Sequence, residues 1–368
     1  MSPSRFQSAV PERVRVVLAT RTLLSFISTW RAAALALVEL GAVVFFASGV
    51  SEAWIGPSAP WFLLGAVLVG ILLRAVDLEA RALFVAGGLY GSVRDALGAR
   101  AALVAASTLI AERLLLGSVA AAVAGRYVAR FVSIWTGAND ATSALISDLS
   151  TATAVAVLAY VWWVQRRGRW FTIQTVSRAM AVAVAVLATA LCWAIVTALW
   201  RGGTLPPGPS APRSIATSLA LIVAFGHALF VTGSVEALAQ VASELEPPRI
   251  RNLQRTARLV CVYSLAITAL GAFVITAIVP DAVRTAWLDA PLAGLAIHVG
   301  GPAVARVLLA AMIVAAAMVW LVAAAHNSLD GVQNVLSRLT EERLLSPALR
   351  ELHPRSGAVN DIETPRVQ

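Results

Sequence analysis

The chain has 368 residues, of which 59% are hydrophobic and 13% charged, with a formal net charge of +9. Soluble domains carry roughly 25% charged residues, so this chain has too few to coat a water-soluble enzyme of its size. All 29 basic residues are arginine, standing singly between apolar runs rather than in a stripe, which argues against a nucleic-acid partner.

Residues 1–31 begin polar and become basic and mildly amphipathic through Arg13, Arg15, Arg21 and Arg31, as expected of a segment lying along a membrane surface. No small-residue cleavage site follows closely behind the first apolar run, so a removable signal peptide is not expected. Apolar runs then predict spans at about 32–50, 60–80, 101–125, 142–164, 179–200, 215–238, 257–280 and 302–326. Each is long enough to cross about 30 Å of hydrocarbon as a helix. The expected fold class is therefore an all-α multi-pass membrane protein of about eight helices. The organisation reads as an interfacial segment 1–31, a membrane domain 32–327 and a polar tail 328–368. The tail opens with helical spacing in GVQNVLSRLTEERLL, and its end, SGAVNDIETPRVQ, has the composition of disorder. The loop RGGTLPPGPSAPRS over 201–214 is too rich in Gly and Pro for regular structure.

With the N-terminus placed in the cytoplasm, 21 arginines fall on inside segments and six on outside segments. That asymmetry predicts both termini inside and an even number of spans in the inner membrane. Trp54, Trp61, Trp135, Trp200 and Trp287 fall at the outer surface and Trp30, Trp162, Trp163 and Trp170 at the inner one, where amphipathic rings settle.

A charge inside a span is costly and marks a candidate site. Glu39 lies in span 1, Arg74 and Asp77 in span 2, Glu112 and Arg113 in span 3, and Glu236 in span 6. Arg74, Asp77 and Arg81 have the spacing of an intrahelical ladder near the inner surface, consistent with a snorkelling structural pair. Glu112 and Arg113 read either as a buried structural pair partnered from another helix or as part of a transport cavity. Arg113, Gly117, Ala121 and Gly125 share one face, which permits close helix packing. Span 1 reads VELGAVVFFASG and span 6 AFGHALFVTGSVEAL, each with a carboxylate and glycines in mid-run. Interrupted helices in corresponding halves point to a transporter's midplane site, although glycines also serve plain packing. His227 and His326 are candidates for proton relay or for simple interhelical hydrogen bonds. Cys192 and Cys261 sit in apolar runs, and no His, Cys, Asp and Glu cluster has metal-ligand spacing, so neither a disulfide framework nor a metal site is expected. No nucleophile elbow, zinc-protease or phosphate-loop motif occurs, so no enzyme is expected.

Four stretches together resemble the amino acid–polyamine–organocation (APC) transporter superfamily: VAGGLYGSVRDALG (85–98), VQRRGRWFTIQTV (164–176), VEALAQVASELEPPRIRNLQRTA (235–257) and LSRLTEERLLSPALRELHPRSG (336–357). The resemblance covers about 31–357 and implies a LeuT-like fold of inverted repeats, with helices 1 and 6 unwound at the substrate. Gly41-Ala42-Val43-Val44-Phe45, followed by Gly56-Pro57, matches the family's glycine-rich start of helix 1, with Val43 in place of the second glycine. Pro247, Pro248 and Asn252 resemble the potassium-uptake branch, against which Glu39 with Phe46, Glu112 with Arg113, and Thr232-Gly233-Ser234-Val235-Glu236 align. The resemblance thus places the substrate against Glu39, Gly41, Ala42, Phe45, Phe46, Glu112, Arg113, Thr232, Gly233 and Glu236.

The family's core repeats need ten spans, so the expected fold is a partial LeuT-like one. This is consistent with a truncated frame, a split protein completed by a further chain, or a shortened non-transporting descendant. The resemblance implies a secondary transporter for an amino acid or related small organic cation or zwitterion, with a potassium or cation permease as alternative. Its partners would be that small-molecule or ion substrate and the lipid bilayer, with no cofactor. In sodium-coupled relatives of this fold the resemblance places hydroxyl side chains of helix 8 at a sodium site, and in proton-coupled ones often a Lys amine. No Ser or Thr occurs between Pro302 and Asn327 of span 8 and the chain has no Lys, so no sodium dependence is expected, with any active transport driven by protons through Glu39, Glu112 or Glu236.

Overall fold

The computed structural model describes residues 27–83, 88–137, 143–167, 173–209, 214–233, 236–242, 245–341 and Leu344. The segment 1–26 and the chain beyond Leu344 lie outside the described residues, as do the side chains of Arg81 and Glu236.

Inside hydrocarbon every backbone N–H and C=O must be satisfied within the chain, and Ala-, Val- and Leu-rich runs do this as helices. Span 1 is built from α1 (Thr29–Leu40), a 3-10 turn (Ala42–Phe45) and α2 (Ala47–Ile55). There follow α3 (Ala59–Leu83), α4 (Gly88–Leu97), α5 (Ala99–Thr136), α6 (Ser143–Arg166) and α7 (Ile173–Trp200). Span 6 is α8 (Ile215–Ala228) with a 3-10 turn (Leu229–Thr232), then α9 (Glu236–Ala242). Span 7 joins α10 (Arg249–Tyr263) to α11 (Leu270–Ile278) through a π-helical turn (Ser264–Ala269). Short α12 (Asp281–Arg284) and α13 (Pro291–His298) precede α14 (Ala303–Glu341). Among the described residues seven helices are long and apolar enough to cross a membrane, and the interrupted span 1 is additional to them. The protein is an all-α multi-pass membrane protein.

Two spans are longer than the sequence reading drew them. Helix α5 has 38 residues, about 57 Å at 1.5 Å per residue, well beyond the hydrocarbon thickness. Helix α14 has 39 residues and carries the segment assigned to the tail from 328 onward as unbroken helix to Glu341. These two helices pack along each other because small residues let their backbones approach. A β-carbon on Gly117 would lie 3.1 Å from Ser328 Oγ, and one on Gly331 would lie 3.0 Å from Arg113 Cδ.

The ends of span 1 are tied to spans 6 and 7. On one side Glu246 N–H donates to Ile27 O at 3.3 Å, and Thr256 Oγ1 donates to Thr29 O at 3.4 Å. On the other, Arg284 donates to Glu52 Oε1 at 3.1 Å and to Val279 O at 3.2 Å, and also contacts Asp281. Glu52 belongs to α2, so this contact ties the far end of span 1 to the segment that follows span 7.

Candidate functional site

Helix α1 stops at Leu40, with Gly41 N–H closing its last turn on Leu37 O at 2.8 Å, and the chain continues as a 3-10 turn. Side chains from three other spans add further donors to the carbonyls at this break. Trp320 Nε1 of α14 donates to Leu37 O at 3.0 Å and Val38 O at 3.2 Å. Tyr263 OH, at the end of α10, donates to Gly41 O at 3.2 Å. Tyr127 OH of α5 donates to Phe45 O at 2.8 Å. The rings also pack on one another: Phe45 meets Tyr127 and Trp320 edge-on, each at 5.7 Å between centroids. A β-carbon on Gly41 would overlap the Trp320 indole, so the glycine is required for this approach. Ala42 and Phe45 are fully buried in the same cluster.

In the last turn of α1, one residue before its end at Leu40, Glu39 is 2% exposed and forms an ion pair with Arg113, 1% exposed, of α5. Asn327 Nδ2 of α14 donates to the same carboxylate oxygen at 3.2 Å. Ser328 Oγ donates to the Arg113 carbonyl, and Gly331 leaves room for the Arg113 side chain. Three helices thus converge on one buried charge pair. Such a pair is stable only when hydrogen bonds satisfy its remaining atoms.

The break in span 6 lies against the break in span 1. Gly233 has φ +68° and turns the chain where a side chain would be strained. A β-carbon there would meet Leu40 at 2.5 Å, so the two interruptions are in close contact. Phe46 stacks on Phe230 at 5.8 Å between centroids. Arg74 of α3 reaches across to donate to Thr232 O at 3.1 Å, satisfying a carbonyl released by this second break. The space beside it, lined by Gly70, Arg74, Asp77, Thr232 and Gly233, measures about 20 Å³, room for one water.

The structure therefore gathers Glu39, Gly41, Ala42, Phe45, Phe46, Arg113, Thr232 and Gly233. Glu112 is not gathered with them. It is half-buried, between exposed Ala111 and buried Arg113 along α5, and Arg113 pairs with Glu39. Glu236 begins α9, and its side chain lies outside the described residues. The histidines have contacts of their own: His227 contacts Val223 O at 2.8 Å and stacks on Trp54, and His326 contacts Asp330 at 3.0 Å. Sequence reasoning missed Tyr127, Tyr263, Trp320, Asn327 and Ser328. A signal was present for Trp320, one of two tryptophans that fall in mid-run rather than at either surface belt. A buried indole N–H needs a partner, and a broken helix offers one.

None of the curated proteins matches the chain significantly. The family profile described as "Amino acid permease" matches residues 27–346, the whole of the interrupted-helix bundle. The interrupted first and sixth spans in mutual contact, with this match over most of the chain, make it a transporter rather than an enzyme: it belongs to the amino acid permease family of the APC superfamily.

Proposed function

We propose that this permease moves an amino acid, or a related small organic cation or zwitterion, across the inner membrane, coupled to a proton carried by Glu39. The Glu39–Arg113 pair beside the span 1 break supports this reading. A zwitterion needs an acceptor for its ammonium and a donor for its carboxylate, and two facing helix interruptions offer backbone groups of both kinds. Protonation of Glu39 removes the charge that holds Arg113. That loosens α1 from α5 and α14 and makes the guanidinium available to an anionic group. Proton binding and substrate binding are thereby linked through one ion pair. Alternating access then consists of α1 and span 6 rocking against α5 and α14.

A second reading, a permease-derived membrane subunit that does not transport, draws support from the filled break. Trp320, Tyr263 and Tyr127 take up the carbonyls that a substrate would contact. The same occupancy disfavours a potassium permease, because a hard cation requires oxygen ligands that are not already accepting N–H and O–H groups. Uptake by the purified chain in proteoliposomes, over a panel of labelled amino acids and small organic cations, tests the proposal. Accumulation of at least one above protein-free vesicles is expected. No uptake of any, by protein that remains folded, favours the second reading.

A further inference from the structure

Helices α3 and α10 diverge around a cleft of about 390 Å³ lined by Ile71, Arg74, Leu78, Gln254, Arg258 and Cys261, among others. The cleft shares no lining residue with the Glu39–Arg113 pair. Among the described residues its lining holds two guanidinium groups, an amide and a thiol, and no carboxylate. Arg258 is exposed, whereas Arg74 is buried and points its Nη2 toward Thr232 O of the span 6 break. Arg258 falls where α10 changes from a basic stretch with Arg249, Arg251 and Arg255 to an apolar one beginning at Leu259. Such a change marks the boundary between headgroups and hydrocarbon. Exposed apolar side chains flank the cleft on both helices: Leu72, Leu73 and Val76 on α3, Leu259 and Val262 on α10.

A polar, doubly cationic floor opening onto an apolar, lipid-facing rim fits one chemistry. We propose that this cleft binds the headgroup of an anionic phospholipid, its phosphate between Arg74 and Arg258 and its acyl chains along Ile71 and the exposed residues of α3. Basic pockets between spans are suited to such headgroups, and the apolar rim favours a lipid over a free phosphate ion. Because Arg74 also holds the carbonyl of Thr232, a bound phosphate draws on the same guanidinium that steadies the span 6 break.

Native mass spectrometry of the full chain released from detergent micelles tests this, with phosphatidylglycerol and phosphatidylcholine as the probes. The expected result is one retained phosphatidylglycerol at concentrations where phosphatidylcholine is not retained. Arg258→Gln should weaken retention about fivefold, the worth of one guanidinium at an anionic surface. Gln254→Glu, which places a carboxylate in the cleft, should weaken it as well. Arg251→Gln, on the same helix outside the cleft, should leave it unchanged. Equal retention of the two lipids, or equal effects of Arg258→Gln and Arg251→Gln, would overturn the site. Displacement of the lipid by millimolar inorganic phosphate would overturn the assignment to a lipid.

Discussion

Arg113 of α5 closes its guanidinium on the carboxylate of Glu39, 74 positions earlier in the chain, with both side chains buried. Removing one partner of such a pair leaves an uncompensated charge in a medium that cannot solvate it. Arg113→Ala should therefore destabilise the protein by about 3–5 kcal/mol. The double variant Arg113→Ala with Glu39→Gln should recover much of the folded yield, whereas Arg113→Ala with Glu112→Gln should not. Fluorescence-detected size exclusion of the three variants checks this, and rescue by the Glu112 change instead would reassign the partner.

Trp320 bears on coupling-ion choice. Sodium prefers oxygen ligands, yet the span 1 carbonyls nearest α14 already accept the indole N–H. The first hydroxyl along α14, Ser328, is committed to the Arg113 carbonyl. Ligand binding or uptake should be independent of sodium at fixed pH and ionic strength. Trp320→Phe, which keeps the ring and loses the donor, should lower stability by about 1–3 kcal/mol by removing a buried N–H from Val38 O, while Leu37 O keeps the Gly41 N–H. A rise in uptake with sodium would contradict the coupling argument.

The arginine asymmetry gives an expectation for topology. Reporter fusions at Arg21 and Arg355 should both report the cytoplasm. An external signal from either would reverse the sidedness assigned to the arginine-rich segments.

The membrane class and the positions of the spans were legible because apolar run length and charge scarcity act residue by residue. The two interruptions were legible for the same reason: Gly41 and Gly233 weaken the helix where they stand. The partner of Arg113 was not, because periodicity along α5 says only that the arginine is costly, not which helix supplies its counter-charge. Glu112, its neighbour in sequence, is 100° away around the helix and faces elsewhere. The aromatic donors were hidden for a related reason. Tyr127, Tyr263 and Trp320 lie in three different spans, and only the packing of those spans on α1 brings them to the carbonyls at its break. The extent of α14 was obscured by a change from apolar to polar composition, which marks the edge of the bilayer but not the end of a helix.

Uptake into proteoliposomes under an imposed pH gradient decides whether Glu39 carries the coupling proton. Wild-type protein should accumulate substrate when the outside is acidified, a protonophore should abolish the accumulation, and Glu39→Gln should still exchange substrate across the membrane but no longer concentrate it. Accumulation by Glu39→Gln equal to wild type under the same gradient would contradict that role.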